Sequence, residues 1–381
     1  MNPLEGLLVL DFSIFLAGPL CSLRLGDLGA RVIKIERPDV GDLCRQLYIS
    51  NLELEGDSTL FHSINRNKES FAANLKDPRE LERVRKLIAR ADVTIQNFRP
   101  GVMEKLGLDH ASVRKINPKL VYGTITGYGD QGPWADKPGQ DLLAQSLSGL
   151  TWLSGDGGKD APPVPMGLAA ADMFAGHFLA QGILACLVRR AKTNEGGLVE
   201  TSLLESLIDF QFEVLTTHLN DGGKLPDRSQ LGNGHAYLGA PYGVYQTSDG
   251  WIAIAMNPLD KLADLLELPA LRNTSRADTF ARRDQLKNIL AARLKSKPTS
   301  HWLSILEPAD VWCSEVLDWP KLLNHEAFKV LNMTRPITSS GGMTMNSLGC
   351  PVRIDGIRPQ FERGAPRLGA DTQQIAREFA L

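Results

Sequence analysis

Hydrophobic positions at the start of the chain come in short, dense runs. Residues 6–12, GLLVLDF, form one of them, the pattern of a strand buried on both faces. Gly18-Pro19 marks a turn, and a helix follows through Leu28. Arg31–Glu36, RVIKIE, alternates as a second strand would. Strand, helix and strand at this spacing predict a doubly wound α/β sheet. Phe71–Asn74, Ala91–Gln96 and Leu120–Thr126 continue the strand series. Asp77–Arg90 carries helix-start signals: Asp77 at the cap, Pro78 in the first position, Glu80 three residues after the cap. Asp141–Leu150 and Leu168–Arg190 read as apolar helices.

Past residue 190 the texture changes. A polar break, AKTNEGG, precedes a helical pattern from Val199 to Leu219, and residues 220–236 form a loop rich in Gly, Asp and Asn. From Tyr237 a hairpin is expected, with Ser248-Asp249-Gly250 as its turn, then short charged helices to Asn324. LGCPVRIDG and APRLGADTQQI predict a strand and a last helix that rejoin the first domain. The expected organisation is a large Rossmann-like domain, 1–225 with 326–381, and a smaller α+β domain, 226–325.

Composition narrows the function classes. With 381 residues, 43% hydrophobic and 23% charged, the chain has the make-up of a soluble globular protein with room for two domains. A net charge of -2 gives no global reason to bind nucleic acid or an anionic membrane. No run was expected to span a membrane. The five cysteines are scattered, without a CxxC pair, which points to reduced thiols and a cytoplasmic home. There is no GxGxxG after the first strand, no Walker motif and no metal-ligand spacing, so nicotinamide, nucleoside triphosphate and metal chemistry are not indicated.

Two places carry candidate chemistry. The strand before residue 97 ends in Asn97-Phe98-Arg99, and Pro100-Gly101 opens the next element. An amide, an aromatic ring and a cation at one strand end suit a nucleotide-bearing ligand. Asp172 stands near the start of an otherwise apolar helix, GLAAADMFAGHFLAQGILACLV. Burial raises a carboxylate pKa while a helix N-terminus favours the anion. A desolvated, ionised carboxylate is a competent nucleophile. Taken alone, Asp172 also fits a first-turn acid that only complements the helix dipole.

These segments resemble the class III CoA-transferases of the CaiB/BaiF type. The resemblance runs through GLLVLDFSIFLAGPL, GDLGARVIKIERPDVGDLCR, NRNKES, NFRPGVMEKLGL, TGYGDQGPWADKPGQDLLAQSLSGL, LGNGHAYLGAPYG and APRLGADT. It implies that Asp172 is the catalytic carboxylate, with Asp141 and Gln140 beside it and with Gly232 and Gly234 in a loop closing over the intermediate. It implies CoA contacts from Arg37, Lys76, Asn97, Phe98 and Lys105, and substrate contacts from Phe15, Leu16, Arg45 and His235. Arg45 would suit a second carboxylate on a dicarboxylate such as succinate. The implied reaction moves CoA from a short acyl-CoA to a carboxylic acid through an aspartyl-CoA intermediate. CoA is a substrate, no cofactor is required, and the partners are the acyl-CoA donor, the carboxylate acceptor and a second copy in an interlocked, ring-like homodimer.

The chain departs from that pattern in three places. Leu16 replaces the glutamine of formyl-CoA:oxalate members, which argues against oxalate or formate. Gln140 replaces an aromatic residue, and the glycine loop is Gly-Asn-Gly-His rather than a run of glycines. Two rival readings remain on the same fold. A 2-methylacyl-CoA racemase would place a histidine where Gln140 stands, and glutamine cannot shuttle protons near neutral pH. His177, five residues past Asp172, is expected to be packed. A non-catalytic acyl-CoA-binding protein would have no use for Asp172.

Overall fold

Six strands build one parallel sheet: β1 (Leu8–Asp11), β2 (Arg31–Glu36), β3 (Glu69–Ala72), β4 (Val93–Gln96), β5 (Val121–Thr126) and β6 (Gly197–Ser202). Their order across the sheet is β3-β2-β1-β4-β5-β6, all neighbours parallel. This is the doubly wound order, which reverses direction between β1 and β4. The computed structural model describes residues 2–158, 160–361 and 363–381.

Alternation along the strands sorts the two faces. Leu8, Leu10 and Phe12 join Ile33, Ile35 and Phe71 in a core with Val84, Leu87 and Ile88 of helix α2 (Pro78–Ile88). The opposite face carries Asp11, Lys34 and Glu36, all buried. Helix α1 (Ala17–Asp27) covers that face together with the later α4 (Ala170–Thr193). Asp77 caps α2 as expected, accepting from Arg79 N at 2.8 Å, but Glu80 reaches Asn74 N rather than the cap residue.

Three expectations need correction. The pattern from Val199 to Leu219 is not one helix. Gly197–Ser202 pairs with β5 from Val121↔Gly197 to Thr126↔Ser202, and helix α5 (Leu203–Phe210) starts only afterwards. An available sheet edge outweighs the local pattern there, helped by the β-branched Val199 and Thr201. The strand expected at LGCPVRIDG is displaced forward: Thr334–Thr338 and Thr344–Leu348 form an antiparallel hairpin. Finally, α4 is long and apolar enough to cross a membrane by length and composition. Here Ala171, Ala175, Leu179 and Ile183 are buried in the layer against the sheet.

The chain divides into two compact units, one of Met1–Ala144, Leu168–Phe210 and Leu331–Leu381, the other of Gln145–Gly167 and Gln211–Val330. The second therefore takes in 145–167, 211–225 and 326–330, which were expected in the large domain. Hydrogen bonds explain the first of these: Arg228 donates to Ala161 O and Pro162 O, and Asn233 Nδ2 to Leu153 O and Gly155 O. The second unit holds its own core, in which a three-stranded antiparallel sheet packs with Leu262, Leu286, Leu290 and Trp302.

Helices α1 and α4 meet through Gly176, where a Cβ would stand 2.6 Å from Ala17 O and 3.1 Å from Leu20. In an unconstrained helix, alanine would be better than glycine by roughly 1 kcal/mol. Here Gly176→Ala is expected to destabilise by about 1–3 kcal/mol, since the obstructing atom is backbone. Urea unfolding of the two proteins checks the sign. A more stable variant would show that the helices part without cost.

Candidate active site

The C-terminal ends of β1 to β4 surround a cavity of about 770 Å³. Ser13 and Ile14 line it after β1, Arg37 and Asp39 after β2, Asn74 and Lys76 after β3, and Phe98 and Lys105 after β4. Ligands of open α/β sheets bind in this crevice, beside the reversal of strand order. Arg37, Lys76, Phe98 and Lys105, scattered in sequence, thus come together on one wall. The three cations are exposed, while Phe98 is half-buried against the core. Arg37 pairs with Asp39 at 2.9 Å in solvent, a weak tie that a phosphate can displace.

Asn97 does not join that wall. Its Oδ1 accepts from Ile14 N and its Nδ2 donates to Ile14 O, each at 2.8 Å. The side chain clamps the β1 and β4 ends together. Arg45 is also corrected. It is 4% exposed and makes four hydrogen bonds, two to Glu36, one to Asp57 and one to Pro366 O, with its guanidinium 3.7 Å above the Phe61 ring. A cation so committed inside the protein is not placed to hold a substrate carboxylate.

Phe15 and Leu16 lie in the turn between β1 and α1. Phe15 is 41% exposed, with φ at +63°, a region disfavoured for a bulky residue. Leu16 is half-buried and packs on Cys44, Phe61, Ile64 and Ala365. The contact of Ala17 O with Gly176 brings this turn beside α4, because Gly176 follows Asp172 by four residues on the same helix face.

Asp172 is the third residue of α4, half-buried. The helix has no cap of its own, since Ala169 occupies that position. Asp141 supplies one from a distant part of the chain: its Oδ1 accepts from Ala171 N at 2.7 Å and from Asp172 N at 3.4 Å. Asp141 is itself buried, at the first position of α3 (Asp141–Leu147). It is delivered by a tight closure of the preceding loop, where Gly127 and Gly139 touch backbone to backbone. Burial first, and the Asp141 charge second, raise the Asp172 pKa from 3.8 to about 7. The arrangement is a carboxylate that ionises at neutral pH and is poorly solvated when it does.

Gln140 is exposed and turns back on its own helix, accepting from Leu142 N at 3.0 Å. His177 is exposed rather than packed. Its Nδ1 sits 2.6 Å from Met173 O, which requires a proton on that nitrogen, and Arg24 Nε donates to Nε2 at 3.4 Å.

Gly232, Gly234 and His235 belong to the second unit, and their loop is fastened. A Cβ on Gly232 would collide with Val244 O, and one on Gly234 would meet the Tyr242 ring at 2.9 Å. Lys287 Nζ donates to Gly232 O at 3.0 Å, and Asn233 N to Asp156 Oδ1 at 2.8 Å. His235 Nδ1 accepts from Tyr237 N at 3.1 Å, so its proton lies on Nε2, 3.7 Å from Glu213.

Sequence reasoning did not find the capping role of Asp141, which joins elements far apart in the chain. It also missed the buried charges of the α1 face. The signal for those was present: RVIKIE sets Lys34 and Glu36 on one strand face next to a strand, LVLD, that ends in Asp11.

Known proteins resemble this chain in sequence and in fold. The family model described as CoA-transferase family III matches residues 4–372. An acetyl-CoA:oxalate CoA-transferase from Acetobacter aceti is 35% identical, over 100% of this chain and 96% of that one. A succinyl-CoA:glutarate CoA-transferase from Mus musculus is 33% identical, over 99% and 86%. The crystal structure of a CaiB/BaiF family protein from Brucella suis superimposes with a TM-score of 0.86 at 31% identity, covering 100% of both chains.

The raised Asp172 pKa makes a stability prediction. The folded state keeps a proton on Asp172 that the unfolded chain has released, so this group lowers stability as pH rises from 3.8 to about 7. Asp172→Asn is expected to match wild type near pH 4 and to exceed it by about 1–3 kcal/mol at pH 8. In Asp141→Asn, which keeps the capping oxygen and loses the charge, Asp172 should titrate lower and the pH effect should shrink. Urea unfolding across pH measures both; a pH-independent difference would contradict the assignment.

Proposed function

This chain is a member of CoA-transferase family III, and from that membership we propose that it moves CoA from a short-chain acyl-CoA to a carboxylic acid through a covalent intermediate on Asp172. The observation that carries the proposal is Asp172 itself, an acid near the N-terminus of an apolar helix, anchored and electrostatically tuned by Asp141. A structural first-turn acid has no need of a second buried carboxylate beside it.

CoA enters as a substrate, and the reaction needs no other cofactor. Phe98 offers a ring to adenine or pantetheine, and Arg37, Lys76 and Lys105 offer cations to the phosphates. The Asp172 carboxylate attacks the donor thioester carbonyl, CoA thiolate leaves, and a mixed anhydride forms. The thiolate then attacks the aspartyl carbonyl, expels the donor acid and leaves an aspartyl-CoA thioester. The acceptor carboxylate attacks that carbonyl and releases the thiolate. Finally the thiolate attacks the acceptor's acyl carbonyl, forming the new acyl-CoA and restoring Asp172. A thiol pKa of about 8.5 makes CoA a workable leaving group at neutral pH.

Relatives are named for oxalate, glutarate and mesaconate as acids and for acetyl-CoA and succinyl-CoA as donors. A dicarboxylate couple with succinyl-CoA as donor fits this set. The second carboxylate is not held by Arg45, for the reasons given above. Oxalate also stays among the acceptors to be tested, because the Acetobacter relative is named for it despite the argument from Leu16.

The working form in this proposal is an interlocked homodimer. In its favour, Phe212, Leu219 and Leu225 stand 68%, 73% and 88% exposed along one short stretch. Apolar surface of that kind is characteristic of interaction sites.

Two outcomes are expected. Intact-mass spectrometry after incubation with acetyl-CoA or succinyl-CoA should show an adduct on wild type and none on Asp172→Ala. Its rate should rise about tenfold per pH unit below the Asp172 pKa of about 7 and then level off, as an ionised nucleophile requires. Deuterium exchange at C2 of a methyl-branched acyl-CoA, with no adduct from any donor, would replace the transferase by a racemase. Sedimentation should give twice the chain mass at micromolar concentration; a monomer would end the dimer proposal.

A further inference from the structure

The buried face of the sheet contains an ion pair that the transfer chemistry does not use. Lys34, in the middle of β2, is fully buried, and its Nζ lies 2.9 Å from Asp42 Oδ2. The same Nζ donates to Ser13 O at 2.7 Å. The other oxygen of Asp42, Oδ1, accepts from Phe15 N at 3.1 Å and from Cys44 N at 2.9 Å. Asp11 is 4.0 Å from Lys34 Nζ and is already paired with Lys68 at 2.9 Å. The contacts that single out Lys34 therefore run to Asp42 and to the turn after β1.

We infer that Lys34 and Asp42 are positioning residues, which hold the Ser13–Leu16 turn in the strained shape that links the strand-end cavity to the helix carrying Asp172. Three observations support this. The turn reaches both places: Ser13 and Ile14 line the cavity, and Ala17 O abuts α4 at Gly176. Its strain sits at Phe15, whose φ of +63° is disfavoured for a bulky residue and persists only where the surroundings impose it. The device is also a poor choice for stability alone, because an apolar pair of equal volume commonly stabilises as well as a buried ion pair or better. Lys34 and Asp42 also line the strand-end cavity beside Ser13 and Ile14; the role assigned to them here is to hold the turn, and the inference rests on the reading that Asp172 carries the transfer.

The test uses Lys34→Met together with Asp42→Asn. Lys34→Met alone leaves Asp42 buried without its cation and should be unstable. The double variant removes both charges and keeps an oxygen for Cys44 N, so urea unfolding should return toward wild type, short of it because Asp11 and Ser13 O also lose Lys34. Amide hydrogen exchange at 13–17 should nevertheless speed up at least about tenfold, with the Ala175–Ile183 amides unchanged. Transfer kcat should fall about 10- to 100-fold, as a small misplacement near the chemistry does. Should the double variant not fold, Asp42→Asn alone carries the same readouts. Unchanged exchange at 13–17, or faster exchange with kcat within twofold of wild type, would overturn the inference. Faster exchange in a protein whose wild type forms no adduct with any donor would leave the turn assignment standing and remove the transferase reading instead.

Discussion

Charge buried on one face of the parallel sheet constrains everything at its C-terminal edge. Asp11, Lys34 and Glu36 project from β1 and β2 beneath α1, where water does not reach them. Ions in that setting must find partners, and several of those partners sit on loops. Lys68 and two serines take Asp11, Arg45 and Ser70 take Glu36, and Asp42 takes Lys34. Burial alone would pull Lys34 down, yet Asp11 and Asp42 hold its pKa above the usual lysine value. Asp11, which burial alone would raise, is held well below the usual carboxylate range by Lys34 and Lys68. Both stay charged across physiological pH, so the loops they grip stay gripped.

The same logic, with opposite sign, operates at Asp172. No cation is among the causes of its shift; its carboxylate faces a second acid instead. Buried charges nearby are neutralised in pairs, and this one is left poised. Asp141 does two things that would otherwise conflict. Its oxygen satisfies the N–H groups at the start of α4, which fixes Asp172 in space, while its charge discourages ionisation there. A neutral cap would fix the helix equally well without tuning the acid.

Much of this was legible in the sequence. Runs such as GLLVLDF and the alternation of RVIKIE identify the first strands, and their crossovers imply the doubly wound order. Asp172 stands out because a carboxylate inside GLAAADMFAGH is anomalous. What escaped had physical reasons. Gly197–Ser202 is a strand because β5 offers an unpaired edge, a fact of tertiary structure. Asn97 and Arg45 have the right chemistry for ligands, but the fold had already assigned their hydrogen bonds to Ile14 and Glu36. Motif matching identifies that such residues matter and does not say whether they face outward or inward.

That distinction bears on specificity. The cavity's cations are Arg37, Lys76 and Lys105, exposed and suited to phosphates, and the buried Lys34. The Phe15–Ala17 turn beside α4 offers mostly apolar and backbone groups. In such a setting, discrimination between acids comes from shape and from placement of a few N–H donors, since a missing methylene in an apolar pocket is worth only about 1–3 kcal/mol. A turn held rigidly by ions inside the sheet is a means of fixing that shape.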